Sequence, residues 1–343
     1  MLKIENESSR RIKAWLILAV FLSVSNTILN LGTSDLNLIK TVLANPTEKK
    51  QEKFQDFTPP KVIYIHQFGY EGKNDGEFGG PFGIHISSDG HIFVADDLNH
   101  TIQVFENDGR FIRRFGKHGK EPGEFAFLDC VITDKNGFMY VADTGNNRVQ
   151  MLDPTGKPVR EIRHWGLLRH GFHNPRDLSF DNRGRLFVTD WGNHCVQVFG
   201  PDFQFLQSIG KKGNGQGEFF NPITLTHDPH GKLYVSDFKN HRIQVFNSEG
   251  KFLHKFGEEG NGPGQFRNPV GLAFDSKGRL FVADYGNHRI QAFSKEGYFI
   301  GAFGRNGKGP GEFEKPCDLD IGPNDSLYAV DSGNHRIQIF RIR

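Results

Sequence analysis

Between residues 61 and 343 the apolar positions fall into short tracts, each broken by a few turn-forming residues. Val270 to Phe274, Arg279 to Ala283, Arg289 to Phe293 and Tyr298 to Phe303 are four such tracts in succession. Ser276-Lys277-Gly278, Tyr285-Gly286-Asn287 and Lys295-Glu296-Gly297 separate them. The tracts have the length of strands and the breaks that of hairpin turns, so the pattern predicts four antiparallel strands.

That pattern repeats. Val94-Ala95-Asp96 returns as Val141-Ala142-Asp143, Val188-Thr189-Asp190, Val235-Ser236-Asp237, Val282-Ala283-Asp284 and Ala329-Val330-Asp331, each aspartate 47 residues after the last. Phe78, Phe125, Phe172, Phe219, Phe266 and Phe313 keep the same step. Self-similarity at such a period marks an array of identical supersecondary units. The ends of the chain say how the array terminates. The sixth copy stops after its third strand, Ile337 to Phe340, while an extra strand, Lys61 to Phe68 followed by Gly69, precedes the first copy and matches Phe111 to Gly116. A spare strand in front and a missing one behind imply a ring closed by the N-terminal strand, which leaves no sheet edge unpaired. The expected fold is all-β: a six-bladed β-propeller of four-stranded antiparallel blades over residues 61–343.

Pro269-Val270-Gly271-Leu272, followed by Asp284-Tyr285-Gly286-Asn287-His288-Arg289-Ile290-Gln291, resembles the NHL repeat, and Asn-His-Arg-Ile or a near variant appears in most copies. The resemblance covers residues 61–343 and implies a six-bladed propeller. Its family includes ubiquitin ligases, RNA-binding translational repressors, a peptide-amidating lyase and sensor domains of bacterial kinases, so fold does not fix function.

Composition and charge narrow these options. The chain has 41 Gly and 33 Phe, which suits short strands joined by tight turns. The net charge of +2 resides wholly in residues 1–60, leaving a formally neutral body. Nucleic acid demands a basic footprint, so a nucleic-acid partner is not expected. Cys130, Cys195 and Cys317 are too few and too scattered for a RING domain or a disulfide framework. Near the N-terminus, Arg10, Arg11 and Lys13 precede the apolar run Ala14 to Val24, a charged region followed by a hydrophobic one. Residues 1–32 therefore read as a signal peptide or a membrane anchor, and residues 33–60 as a polar linker. Both alternatives place the rest of the chain outside the cytoplasm, secreted, periplasmic or membrane-anchored.

Residues repeated in every copy are expected to build blades, and function to sit where copies disagree. The recurring Asp, with Arg148, Arg242, Arg289 and Arg336, is accordingly assigned to structure. The position after that Asp reads Asp97, Thr144, Trp191, Phe238, Tyr285 and Ser332, so aromatics occupy three consecutive blades. The position after the recurring Pro reads Phe82, Asp129, Arg176, Ile223, Val270 and Cys317. The loop entering the third blade departs from the acidic, glycine-rich consensus and carries Trp165 and Arg169. Trp165, Arg169, Arg176, Trp191, Phe238 and Tyr285 are thus the expected ligand-binding residues, on the face that bears the loops between second and third strands. By the period of two, the first strands should line a central channel with Gly83, His85, Cys130, Asp177, Asp318 and Asp320 among others. Those aspartates could hold a calcium ion, which prefers several oxygen ligands. The expected function is a non-catalytic platform for a protein, peptide or glycan, with the membrane as a further partner if the N-terminal segment is uncleaved. The alternative is a metal-dependent lyase or hydrolase working in the channel.

Overall fold

The computed structural model describes residues 59–162 and 171–343. The expected signal or anchor segment, the linker up to Thr58, and the candidate residues Trp165 and Arg169 lie outside the described residues.

The described chain forms 24 strands. After β1 (Val62–Phe68), blade one consists of β2 (Pro81–Ile86), β3 (Ile92–Asp96), β4 (Thr101–Phe105) and β5 (Phe111–Phe115). Blade two is β6 (Leu128–Thr133), β7 (Met139–Asp143), β8 (Arg148–Leu152) and β9 (Pro158–Ile162). Blade three is β10 (Pro175–Phe180), β11 (Leu186–Asp190), β12 (Cys195–Phe199) and β13 (Phe205–Ile209). In blade four come β14 (Pro222–His227), β15 (Leu233–Asp237), β16 (Arg242–Phe246) and β17 (Phe252–Phe256). Blade five has β18 (Pro269–Phe274), β19 (Leu280–Asp284), β20 (Arg289–Phe293) and β21 (Phe299–Phe303). β22 (Pro316–Gly322), β23 (Ser326–Asp331) and β24 (Arg336–Ile342) end the chain.

All six sheets are four-stranded, and the last has the order β1-β24-β23-β22. β1 pairs antiparallel with β24, from Val62 opposite Ile342 to Phe68 opposite Ile337. Lys61 and Arg343 then exchange two backbone hydrogen bonds at 3.1 and 3.0 Å. The first strands β2, β6, β10, β14, β18 and β22 touch in succession, and β22 returns to β2, so the ring closes as the sequence implies. The third strand of the sixth copy is longer than its apolar tract suggested, and β1 pairs with it from Ile337 to Ile342.

Apolar clusters fill the space between successive blades. Ile243 and Val245 of blade four, for example, meet Leu272, Leu280 and Val282 of blade five. The recurring phenylalanine enters each such cluster and is buried in every copy. In five copies it lies against the glycine that follows the preceding fourth strand. At Gly257, φ is +88° and a Cβ would stand 2.4 Å from the Phe266 ring, so a side chain there would strain the backbone and displace the ring.

Candidate functional site

The repeated polar residues form a buried scaffold. Asp237 is fully buried, and its Oδ1 accepts the Phe220 N–H at 2.8 Å. Its Oδ2 accepts from Asn240 Nδ2 at 2.9 Å, Arg242 Nε at 2.7 Å and Gln244 Nε2 at 3.1 Å. The arginine continues to the carbonyls of Gly215 and Glu218, fastening the glycine-rich entry loop. Equivalent networks surround Asp143, Asp284 and Asp331. The repeat histidine, which takes a left-handed conformation, ties one blade to the next. His194 Nδ1 accepts the Asn221 N–H at 3.1 Å and His241 Nδ1 that of Asn268 at 3.0 Å. These residues are spent on architecture.

The face carrying the turns between second and third strands holds the remaining variable residues. Arg176 Nη1 lies 2.8 Å from Asp129 Oδ2, which also accepts the Thr144 hydroxyl at 2.8 Å. The guanidinium carbon sits 5.4 Å from the Trp191 ring centre and 5.9 Å from that of Phe82. Phe238 and Tyr285 meet edge to face at 6.4 Å, and both rest on a layer that contains Ile223, Val270 and Cys317. The side chains of that layer are buried, so the position after the recurring Pro mostly packs inward in blades four to six. The Trp191 and Phe238 carbonyls accept from Asn221 and Asn268 of the next blade, which fixes the turns that present the two rings. Arg176, Trp191, Phe238 and Tyr285 are all half-buried. Beside Arg176, burial and the neighbouring Asp129 push the Asp97 carboxyl up to about 7, and burial pushes Asp129 up to about 6.

Two further residues on this face escape a reading of the sequence. Phe127 is 51% exposed and Phe220 40% exposed, each edge-on to a repeat histidine, His100 and His194 respectively. A signal existed: at the position of Phe127 the other copies carry Gly, Asn or Lys.

The channel encloses a cavity of about 280 Å³. His85, Asp177, Asp318 and Asp320 all line it, as do Cys130 and Ser179. Asp177 and Asp318 occupy the same register position three blades apart. Each accepts an N–H from the first strand of the following blade: Leu225 to Asp177 Oδ2 at 2.8 Å, Ile84 to Asp318 Oδ2 at 2.9 Å. Asp320 Oδ2 accepts the Ile86 N–H at 2.7 Å and lies 3.5 Å from His85 Nδ1. These carboxylates therefore stitch blade to blade. Burial raises the Asp177 carboxyl to about 6, and burial followed by the charge of Asp177 raises Asp318 well above the carboxylate range. Among the described residues, no three His, Cys, Asp or Glu side chains converge as a metal site.

A folded pKa above the unfolded one means that the native state holds its proton more tightly, so ionisation costs stability as pH rises. Asp177→Asn keeps an oxygen acceptor for Leu225 without the charge. It should stabilise the protein by about 1–2 kcal/mol at pH 8, after discounting for solvent in the channel, and hardly at all at pH 4. Urea unfolding at the two pH values measures this; an equal effect at both would refute it.

The family profile described as "6-bladed beta-propeller" matches residues 42–173 and 221–277, more than half of the chain. The NHL repeat profile matches residues 172–199, 266–293 and 313–340. The B-box type zinc finger protein ncl-1 of Caenorhabditis elegans is 44% identical over 69 residues, 18% of this chain and 8% of that protein. Protein brain tumor of Drosophila melanogaster is 43% identical over 51 residues, 15% of this chain and 5% of that protein. The matched segments thus span less than a tenth of these curated relatives. Among solved structures, a streptogramin B lyase superposes with a TM-score of 0.59 at 16% identity, covering 82% of this chain and 98% of that one. A gluconolactonase of Xanthomonas campestris gives 0.63 at 15%, covering 84% and 96%. An auxiliary nutrient binding protein of Bacteroides thetaiotaomicron gives 0.63 at 12%, covering 82% and 77%. At these identities the likeness shows the fold alone.

Proposed function

The chain belongs to the six-bladed β-propellers built from NHL repeats, and on that premise we propose that it is a non-catalytic binding platform outside the cytoplasm. Its ligand is a protein, peptide or glycan, taken on the face of the turns between second and third strands. One observation carries this reading. That face holds Trp191 and Phe82 against Arg176 and the pair Phe238 and Tyr285, with Phe127 and Phe220 exposed beyond them. Aromatic rings and arginine with one wet edge are the residues that dominate interfaces. The charged and apolar run before residue 25 supports export, and the neutral body supports a partner other than nucleic acid.

Peptides selected from a random display library on the wild-type chain test the proposal. Trp191→Ala/Tyr285→Ala should weaken their binding roughly ten-fold or more, since each ring is worth about 1–2 kcal/mol in such a site. Peptides that bind the double variant as tightly as the wild type would remove the assignment of this face.

The second reading, a metal-dependent lyase or hydrolase in the channel, has the carboxylates Asp177, Asp318 and Asp320 in its favour, with lyase and gluconolactonase folds among the structural neighbours. The residues do not fit a resident metal well, because each carboxylate already accepts a backbone N–H from the next blade. Elemental analysis of the purified chain separates the two: stoichiometric calcium or zinc would favour the enzyme.

A further inference from the structure

In the channel wall, three side chains from consecutive blades stand in line. His85 lies on β2 of blade one, Asp320 on β22 of blade six, and Thr133 ends β6 of blade two. His85 Nδ1 is 3.5 Å from Asp320 Oδ2, and His85 Nε2 is 2.9 Å from the Thr133 hydroxyl. All three line the cavity of about 280 Å³. None is sealed off: the His85 and Asp320 side chains are 21% and 29% exposed, and Thr133 is half-buried.

Asp320 is held independently of the imidazole. Its Oδ2 accepts the Ile86 N–H at 2.7 Å and its Oδ1 that of Ile321 at 2.7 Å. The His85 ring sits 6.4 Å from that of Phe93, its partner on β3. A carboxylate facing Nδ1 draws the imidazole proton there, which leaves Nε2 to accept from the Thr133 hydroxyl. The 3.5 Å separation is long for a hydrogen bond, as catalytic contacts often are until substrate tightens them.

The other copies do not use this arrangement to build blades. At the position of His85 they carry Ile132, Ser179, Thr226, Ala273 and Asp320. A hydroxyl–imidazole contact recurs in reversed order, with the Ser179 hydroxyl 3.1 Å from His227 Nδ1. Among the described residues, the second nitrogen of that ring is buried without a partner, so no carboxylate orients it. Burial also lowers the His227 pKa to about 4. Of the two pairs, that of His85 alone has a third member.

We propose that Thr133, His85 and Asp320 form a metal-independent acyl-transfer site that hydrolyses short-chain carboxylic esters. Thr133 is the nucleophile, His85 the general base, and Asp320 the positioning residue that orients His85. The Thr133 oxygen bonds to the acyl carbon as its proton passes to His85 Nε2. The bond from that carbon to the alcohol oxygen then breaks, and the departing alcohol takes the proton from His85. Water, giving a proton to the same nitrogen, attacks the acyl-threonine, and the proton returns to the Thr133 oxygen as the acid leaves. Ile84 and Ile132 give the cavity apolar walls, and its volume suits an acyl group of a few carbons. Burial, followed by the charge of Asp177, raises the Asp318 carboxyl in the same cavity, which lessens the negative charge near the reacting carbonyl. This is the channel chemistry of the second reading without its metal. It is independent of the aromatic face, which lies at the other end of the first strands.

Kinetics of the full chain with p-nitrophenyl acetate, with mass spectrometry of the quenched protein, test the site. Turnover should persist in a chelator, and the acetyl group should be trapped on Thr133. Thr133→Val, which keeps the shape, and His85→Ala should each lower kcat roughly a hundred-fold or more, the usual scale of general acid–base catalysis. Thr133→Ser should retain turnover. Asp320→Asn keeps an acceptor for the Ile86 N–H and should lower kcat with little change in KM, the mark of lost orientation rather than lost binding. Circular dichroism shows which variants are folded, and if His85→Ala is not, Thr133→Val decides alone. Absent turnover, acetylation confined to other residues, wild-type kcat in Thr133→Val, or loss of turnover in the chelator would overturn the proposal. Loss in the chelator would return the chemistry to a metal, and peptide binding on the aromatic face is tested separately from all of these outcomes.

Discussion

A chain that begins at Gly69, without β1, should lose its cooperative native state and aggregate. β1 is one strand, but it serves two interfaces. Val62 and Tyr64 pack into the cluster between blades five and six, with Tyr64 edge-on to Phe340 at 5.8 Å. Phe68 reaches the other way, into the cluster that joins blade six to blade one, 4.8 Å from Phe105. Exposing these three half-buried side chains costs about 5 kcal/mol, before the lost ladder to β24 is counted. Against a typical stability of about 5–15 kcal/mol that is a large share. The truncation also bares the edge of β24, a strand rich in isoleucine and a template for pairing with other chains. Thermal unfolding followed by circular dichroism, with light scattering in parallel, measures the outcome. A monomeric truncated chain melting within about 3 °C of the full one would show that closure by β1 is dispensable.

The fold was legible because the repeat states it six times, and the offset at the two ends gave the closure. The period of two likewise placed His85, Cys130, Asp177, Asp318 and Asp320 in the channel. Gly83, expected among the lining residues, instead lets neighbouring first strands approach, since a Cβ there would meet the Asp129 carbonyl at 2.2 Å. What each lining side chain touches was not legible. Asp177 bonds Leu225, 48 residues away, and that contact exists only once the ring has set one blade against the next. The same holds for Arg176, whose variability pointed to a ligand but whose guanidinium is engaged by Asp129.

Arg242→Ala should destabilise the propeller by about 3–5 kcal/mol at neutral pH, the cost of leaving a buried carboxylate without its cation. Asp237 would keep three donors, Phe220 N–H, Asn240 and Gln244, but lose the charged one at 2.7 Å. The Asn214 carbonyl would lose its donor at the same stroke, and those of Gly215 and Glu218 one of two. Burial already raises the Asp237 pKa, and removing the arginine must raise it further. The native state of the variant would then bind a proton more readily than the unfolded chain, so its deficit should shrink as pH falls from 7 to 5. Arg289→Ala should cost less, because that side chain is 17% exposed against 5% for Arg242 and water can replace part of the contact. Blades one and three show what a native solution without arginine looks like. Thr101 and Cys195 stand in its place, and beyond the donors that Asp237 also has, Asp96 accepts the Gly80 N–H at 2.8 Å. Arg242→Thr does not bring that extra amide with it and should be nearly as damaging as alanine. Guanidinium chloride unfolding at pH 5 and 7 distinguishes the variants. A deficit in Arg242→Ala that is the same at both pH values would mean that the lost loop contacts, not the buried charge, set the cost.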